Sequence, residues 1–250
     1  MPNITIWNEF VHEQEDSDYG RLCAKYYPNG IHARIEEALK PYFPGWNFRT
    51  ATLGEPQCGL CDEVIDSTDV LVWWGHMAHH KVPDDIVAKL HMRVISGMGL
   101  VVLHSGHFSK IFQRVCGTHC ELKWREIGEK ERVWTVDPFH PIAKGIPETF
   151  VIDNTEMYGE PFGIPSEAHV VFMSWYQGGN VFRSGITLQR GAGKIFYFSP
   201  GHENLPIYHN EMVIKVIANG VNWVNPPAGV GAGPKCPNDK EPHEKVEPQH

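Results

Sequence analysis

Apolar residues in the first half of the chain follow two alternating patterns. One is the short unbroken run. Val70–Gly75 reads VLVWWG and Gly99–Leu103 reads GLVVL, as strands buried on both faces do. Asn3–Phe10 (NITIWNEF) and Phe48–Leu53 read as further, shorter strands. The other pattern is helical. Ile31, Ile35, Ala38, Leu39 and Tyr42 fall on one face of a helix over Ile31–Phe43, with Pro28-Asn29-Gly30 before it and Pro44-Gly45 after it. Pro83–Ser96 is predicted helical, with Asp84 and Asp85 at the positive end of its dipole and Gly97 beyond its end. A short helix is expected between the second and third strands, and another over Phe108–Val115. The segment EQEDSDYG reads as a polar loop. Strand and helix alternating in this way imply a parallel sheet with right-handed crossovers.

The second half changes rhythm. Leu122–Glu126, Val133–Val136, Phe150–Asp153, Val170–Ser174 and Ile195–Ser199 read as strands with little helix between them, a mixed extension of the sheet. Met212, Val213, Val216, Ile217, Val221 and Val224 form the apolar stripe of a last helix over Asn210–Val224. Residues 1–225 are expected to form a single α/β domain. Residues 226–250, rich in Pro, Gly and polar side chains, bury too little apolar surface to offset their ordering entropy and are expected extended or mobile. The tail's first residues, NPPAGVGAG, suggest packing on a second copy of the chain, as in a homo-oligomer. Cys236, farther along, is expected to be a free thiol.

Composition narrows the function. A net charge of −8 over 250 residues disfavours nucleic acid and anionic membranes as partners. No apolar run approaches the roughly 20 residues of a membrane span. The start, MPNITIWNEF, lacks the basic and apolar regions of an export signal, so a cytoplasmic location is expected, with cysteines as thiols or metal ligands. The outlying count is 15 histidines. His12, His76, His79, His80, His104, His107 and His202 lie near predicted strand ends, where α/β sheets bind ligands.

The junction Leu103-His104-Ser105-Gly106 runs from strand through sharp turn to helix, like a nucleophile elbow, although G-x-S-x-G is absent. Ser105 is a nucleophile only if a base reaches it. Gly106 lets the following helix pack close. His104 itself can serve as base, as metal ligand or as packing.

Six segments carry a resemblance that spans the chain to about Asn225: WNEFVHE (7–13), DVLVWWGHMAHHKV (69–82), GLVVLHSGHFSK (99–110), HPIAKGI (140–146), TEMYGEPF (155–162) and GAGKIFYFSPGHE (191–203). Together they resemble the trehalose-utilisation, ThuA-like family. That family is similar in fold to the class I glutamine amidotransferases. The resemblance therefore implies a flavodoxin-like three-layer sandwich with a central, mostly parallel sheet and a mixed β extension. His104 stands where those amidotransferases carry cysteine, so glutaminase chemistry is not implied. The family's name implies trehalose or a related disaccharide as the sugar substrate.

If the sheet gathers its strand ends, His12, His76, His104, His202, Glu156 and Tyr158 meet in one crevice. His12, His76, His104 and His202 are then a candidate ligand set for zinc or another divalent metal. The same groups suit acid–base work, with His104, Glu156 and His202 as catalytic candidates and the metal or an imidazole stabilising an enediolate or activating water. His12, Trp74, Tyr158 and Ser105 are the candidate substrate-binding residues. Trp7, Trp73, Trp74 and Trp175 each offer a flat face to a pyranose ring or belong to the core. No nucleotide cofactor is expected. Cys58/Cys61 and Cys116/Cys120 suggest a thiolate zinc site. However, a helix of about eight residues, roughly 12 Å long, separates the two pairs across the sheet edges. Two functions follow: an enzyme acting on a disaccharide or its keto derivative, or a non-catalytic sugar- or partner-binding module on an amidotransferase-like scaffold.

Overall fold

The computed structural model describes residues 1–231 and 238–247. Its first half contains β1 (Asn3–Asn8), α1 (Asp18–Tyr26), α2 (Ile31–Leu39), β2 (Asn47–Thr52), α3 (Asp62–Ser67), β3 (Val70–Trp74), α4 (Asp84–Ile95), β4 (Gly99–Leu103) and α5 (Lys110–Cys116). The second contains β5 (Lys123–Thr135), β6 (Thr149–Gly159), β7 (His169–Tyr176), β8 (Val181–Arg190), β9 (Gly193–Phe198) and α6 (Glu211–Val224). All nine strands join one sheet in the order β2-β1-β3-β4-β9-β8-β7-β5-β6.

The pleat of the parallel strands explains their unbroken apolar sequence. Val70, Val72 and Trp74 of β3, with Val101 and Leu103 of β4, face α2 and α6 through Ile31, Ile35, Val213 and Ile217. Leu71, Trp73, Leu100 and Val102 face the opposite way, against Val87, Leu90 and Val94 of α4 and Ile111 and Phe112 of α5. Each such aliphatic side chain, fully buried, contributes about 1.5–3 kcal/mol. The last helix begins where Asn210 accepts hydrogen bonds from the amides of Met212 and Val213, a cap that stabilises it by about 1 kcal/mol.

The sheet is mixed, which corrects the expectation of a mostly parallel one. β2, β1, β3, β4 and β9 pair in parallel. β9, β8, β7, β5 and β6 pair antiparallel, and the strands on that side are the longer ones. Three sequence readings fell short here. The predicted strands 122–126 and 133–136 are one strand, β5, continued through irregular register around Glu129. β8 was not predicted at all. The last residues of the predicted polar loop, Asp18–Gly20, begin α1, which is capped by Ser17 and buries only Gly20 and Cys23, too few positions for a readable stripe.

The tail begins by packing on its own chain. Val230 lies against the core beneath α4, and the Gly231 amide donates to the Ser96 carbonyl at 3.2 Å. Residues 238–247 are exposed, and Cys236 lies outside the described residues. No helix among the described residues is long and apolar enough to cross a membrane.

Glu131, in the middle of β5, is fully buried. It accepts hydrogen bonds from the Ser174 and Tyr176 hydroxyls of β7. Burial pushes its pKa from 4.5 up to about 7, against the pull of those hydroxyls. A carboxyl whose folded pKa is raised contributes stability in full below its unfolded pKa. That contribution is lost as pH rises through the folded value. Glu131→Gln is therefore expected to gain on the wild type by about 3 kcal/mol between pH 4.5 and pH 8. Thermal unfolding of both proteins across that range checks it.

Candidate active site

The carboxyl ends of β1, β3, β4 and β9 form one rim, as parallel pairing requires. Each strand delivers its chemistry just beyond its last residue: His12 after β1, His76 after β3, His104 after β4, and His202 with Glu203 after β9. Glu9 ties two of these segments together. Its buried carboxylate accepts the backbone amides of His76 and Met77 at 2.9 and 3.0 Å. The antiparallel wing supplies the rest. β6 is the far edge of the sheet, yet its Glu156 Oε2 lies 3.1 Å from His104 Nε2. The wing therefore curls back over the rim.

His104 occupies the elbow with φ 49°, a left-handed conformation that is uncommon outside glycine. Its surroundings are tight. A Cβ on Gly106 would meet Val102 Cγ1 at 2.9 Å, and one on Gly201 would meet the Tyr208 hydroxyl at 2.2 Å and His104 Cβ at 2.9 Å. His104 Nδ1 donates to the Ser199 carbonyl at 2.9 Å, which directs Nε2 at Glu156 and, at 3.4 Å, at the Tyr158 hydroxyl. The Tyr158 ring also stacks on the imidazole at 4.9 Å. Burial works against the charged imidazole, but the Glu156 carboxylate outweighs it and raises the His104 pKa above 6.5. Burial likewise works against the Glu156 carboxylate, and His104 outweighs it to hold that pKa below the usual value. Ser105 shares a 2.9 Å hydrogen bond with the Tyr158 hydroxyl. No imidazole bonds to the Ser105 hydroxyl among the described residues, so that hydroxyl lacks the base a nucleophile needs.

A second cluster lies beside the first. His12 Nε2 and His76 Nδ1 are 2.7 Å apart, and Glu203 Oε1 is 3.3 Å from the former and 3.2 Å from the latter. The Tyr19 hydroxyl donates to the same oxygen at 2.7 Å. Burial alone would raise the Glu203 pKa; the facing imidazoles of His202, His76 and His12 bring it down to about 2. Burial lowers the pKa values of His76 and His202, against the pull of the Glu203 carboxylate. His202 links the clusters, with Nδ1 3.6 Å from Glu203 and Nε2 3.7 Å from Glu156 and 3.5 Å from Glu126. The four histidines expected to share one metal thus divide into two groups, each with its own carboxylate: His12, His76 and Glu203, and His104, His202 and Glu156. Either group has the donors and spacing to hold a cation. Neither cysteine pair falls in such a group among the described residues.

A cleft of about 540 Å³ opens onto these groups. Its floor carries His76, Ser105, Glu156, Tyr158 and His202, and its walls carry His79, His107, Phe108 and Trp124. His107 Nδ1 donates to the Cys120 carbonyl at 2.7 Å, and burial lowers the imidazole's pKa to about 3. His80 is exposed outside the cleft. Trp74, expected to bind sugar, is only 1% exposed within the core and offers a ligand no surface. Trp7 and Trp73 stack on each other at 3.8 Å and are equally buried. Trp175 is part-exposed but does not line the cleft. Sequence reasoning missed Glu203, Glu126 and Trp124. Glu203 follows His202 in SPGHE, where attention to the histidine hid it. Nothing in the local pattern distinguishes Trp124 from a core tryptophan.

A family model described as ThuA, trehalose utilisation, matches residues 3–224. Among solved structures, a ThuA-like protein from Bacteroides uniformis is similar at 14% identity and a TM-score of 0.64, over 92% of this chain and 94% of that one. A ThuA-like protein from Parabacteroides merdae is similar at 16% identity and a TM-score of 0.61, over 96% and 94%. A cytoplasmic protein from Salmonella typhimurium LT2 is similar at 12% identity and a TM-score of 0.60, over 89% and 99%. At such identities the likeness is one of fold. No curated protein matches the chain in sequence.

The His104–Glu156 contact is open to direct test. In metal-free protein the His104 imidazole is expected to titrate above 6.5. In Glu156→Gln, burial acts with less opposition and the titration is expected to fall below that of the wild type. Histidine ring NMR across pH 4–9 reads both; an unchanged titration shows that Glu156 does not set it.

Proposed function

The chain belongs to the ThuA, trehalose-utilisation family, and from that premise we propose that it is an enzyme acting on a disaccharide or a keto-sugar derivative. The observation that carries this reading is the buried His104–Glu156 dyad, 3.1 Å apart, whose Glu156 lines a ligand-sized cleft with Tyr158 beside it. A histidine whose pKa is raised by a facing carboxylate is a proton carrier suited to such chemistry. Tyr158, against both the dyad and Ser105, orients the imidazole and offers a hydroxyl to substrate. Proton transfer of this kind is common to sugar hydrolases, lyases and isomerases.

The reading includes a divalent cation, with zinc the choice for two imidazoles and one carboxylate. His12, His76 and Glu203 are its ligands, with three donor atoms 2.7, 3.2 and 3.3 Å apart. The buried Glu203 carboxylate also keeps capacity for positive charge, since its other oxygen, Oε2, has no hydrogen-bond partner among the described residues and faces His202 Nδ1 at 3.6 Å. Such an ion supplies positive charge to a substrate oxygen beside the dyad. The reading further takes the protein as cytosolic, one domain over residues 1–225, and flavodoxin-like in its parallel half.

His104→Ala is expected to lower turnover of trehalose or its keto derivatives by about a hundredfold or more while leaving the melting temperature near that of the wild type. Turnover equal to the wild type refutes the role of His104. Chelation is expected to lower activity and stoichiometric zinc to restore it. Full activity in protein shown metal-free by elemental analysis refutes the cation.

A further inference from the structure

Trp124 stands at the mouth of the cleft and is 67% exposed, an unusual position for an indole. Its placement follows from sheet register. Trp124 of β5 pairs directly with Tyr158 of β6, and side chains of directly paired residues share one face of a sheet. Tyr158 on that face touches His104. Glu126, two residues on from Trp124, lies on the same face. Its carboxylate is held by the Asn204 side-chain amide at 3.0 Å and lies 3.5 Å from His202. Phe108, also part-exposed, contributes a second ring from the turn after the elbow.

The charge of the lining is one-sided. Glu121, Glu126 and Glu156 line the cleft, and no lysine or arginine among the described residues does. An anionic group seated beside Glu121 and Glu126 would meet like charge, with no lysine or arginine of the described lining to offset it. A ligand suited to these walls has an apolar face for the rings and hydroxyl donors for the carboxylates, without negative charge. The axial C–H face and equatorial hydroxyls of a pyranose meet each requirement.

We propose that Trp124 and Glu126 form an outer subsite for the second ring of an unphosphorylated disaccharide, the first ring lying over the His104–Glu156 dyad. The proposal rests on the sugar-processing reading above and narrows its substrate class. Trp124 supplies the stacking surface and Glu126 accepts hydroxyl hydrogens. The acidic walls reject sugar phosphates.

Calorimetric titration with trehalose, glucose and trehalose 6-phosphate tests this on the full-length protein. The wild type is expected to bind trehalose about tenfold more tightly than either glucose or trehalose 6-phosphate. Trp124→Ala is expected to lose about tenfold in trehalose affinity with glucose affinity nearly unchanged, and Trp124→Phe to recover most of the loss. Circular dichroism confirms that both variants are folded. Trehalose binding unchanged in Trp124→Ala overturns the subsite and leaves the enzyme reading intact. Trehalose 6-phosphate binding as tightly as trehalose overturns the neutral-sugar assignment. A wild type that binds none of the three overturns the sugar reading and the subsite together.

Discussion

Two buried carboxylates govern this site. Glu156 and Glu203 lie within a few ångströms of the same rim, and every ion-pair partner they have among the described residues is an imidazole. A guanidinium would fix their charge permanently. An imidazole neutralises only when protonated, and burial resists that protonation at His76 and His202. The cluster is therefore short of fixed positive charge, and a proton, a cation or the hydrogen of a substrate hydroxyl can supply it. A structural core has no use for such a shortage, whereas a reacting site does.

The rest of the architecture holds that arrangement in place. Parallel pairing brings four strand ends to one edge. Helices on both faces bury the strands that carry them, and Glu9 fixes the turn after β3. The left-handed backbone at His104 aims one nitrogen at the Ser199 carbonyl and the other at the acid. A backbone conformation that costs energy at a non-glycine residue is maintained by close contacts around it, here Gly106 and Gly201.

The parallel half was legible in the sequence because burial on both faces leaves no polar positions in β3 and β4, and because Asn210 and the Pro–Gly punctuation mark its helices. The histidines were legible as strand-end residues. The wing was not. Its strands carry exposed Trp124, Ile127 and Trp134 beside buried Glu129 and Glu131, so alternation of apolar and polar residues misreports which face is covered. The same reversal hid Trp124 and made Trp74 attractive as a sugar contact. Glu156 was identified through the TEMYGEPF motif. Its pairing with His104 depends on the curl of the wing, which no local pattern records.

That curl has a mechanical consequence. β6 is an edge strand whose only sheet neighbour is β5, and it carries the acid, whereas the imidazole is anchored in the middle of the parallel strands. The proton affinity of the central imidazole is set in large part by a carboxylate that the sheet's margin carries, so the seating of an edge strand and the charge preference at the centre are joined through a single 3.1 Å contact.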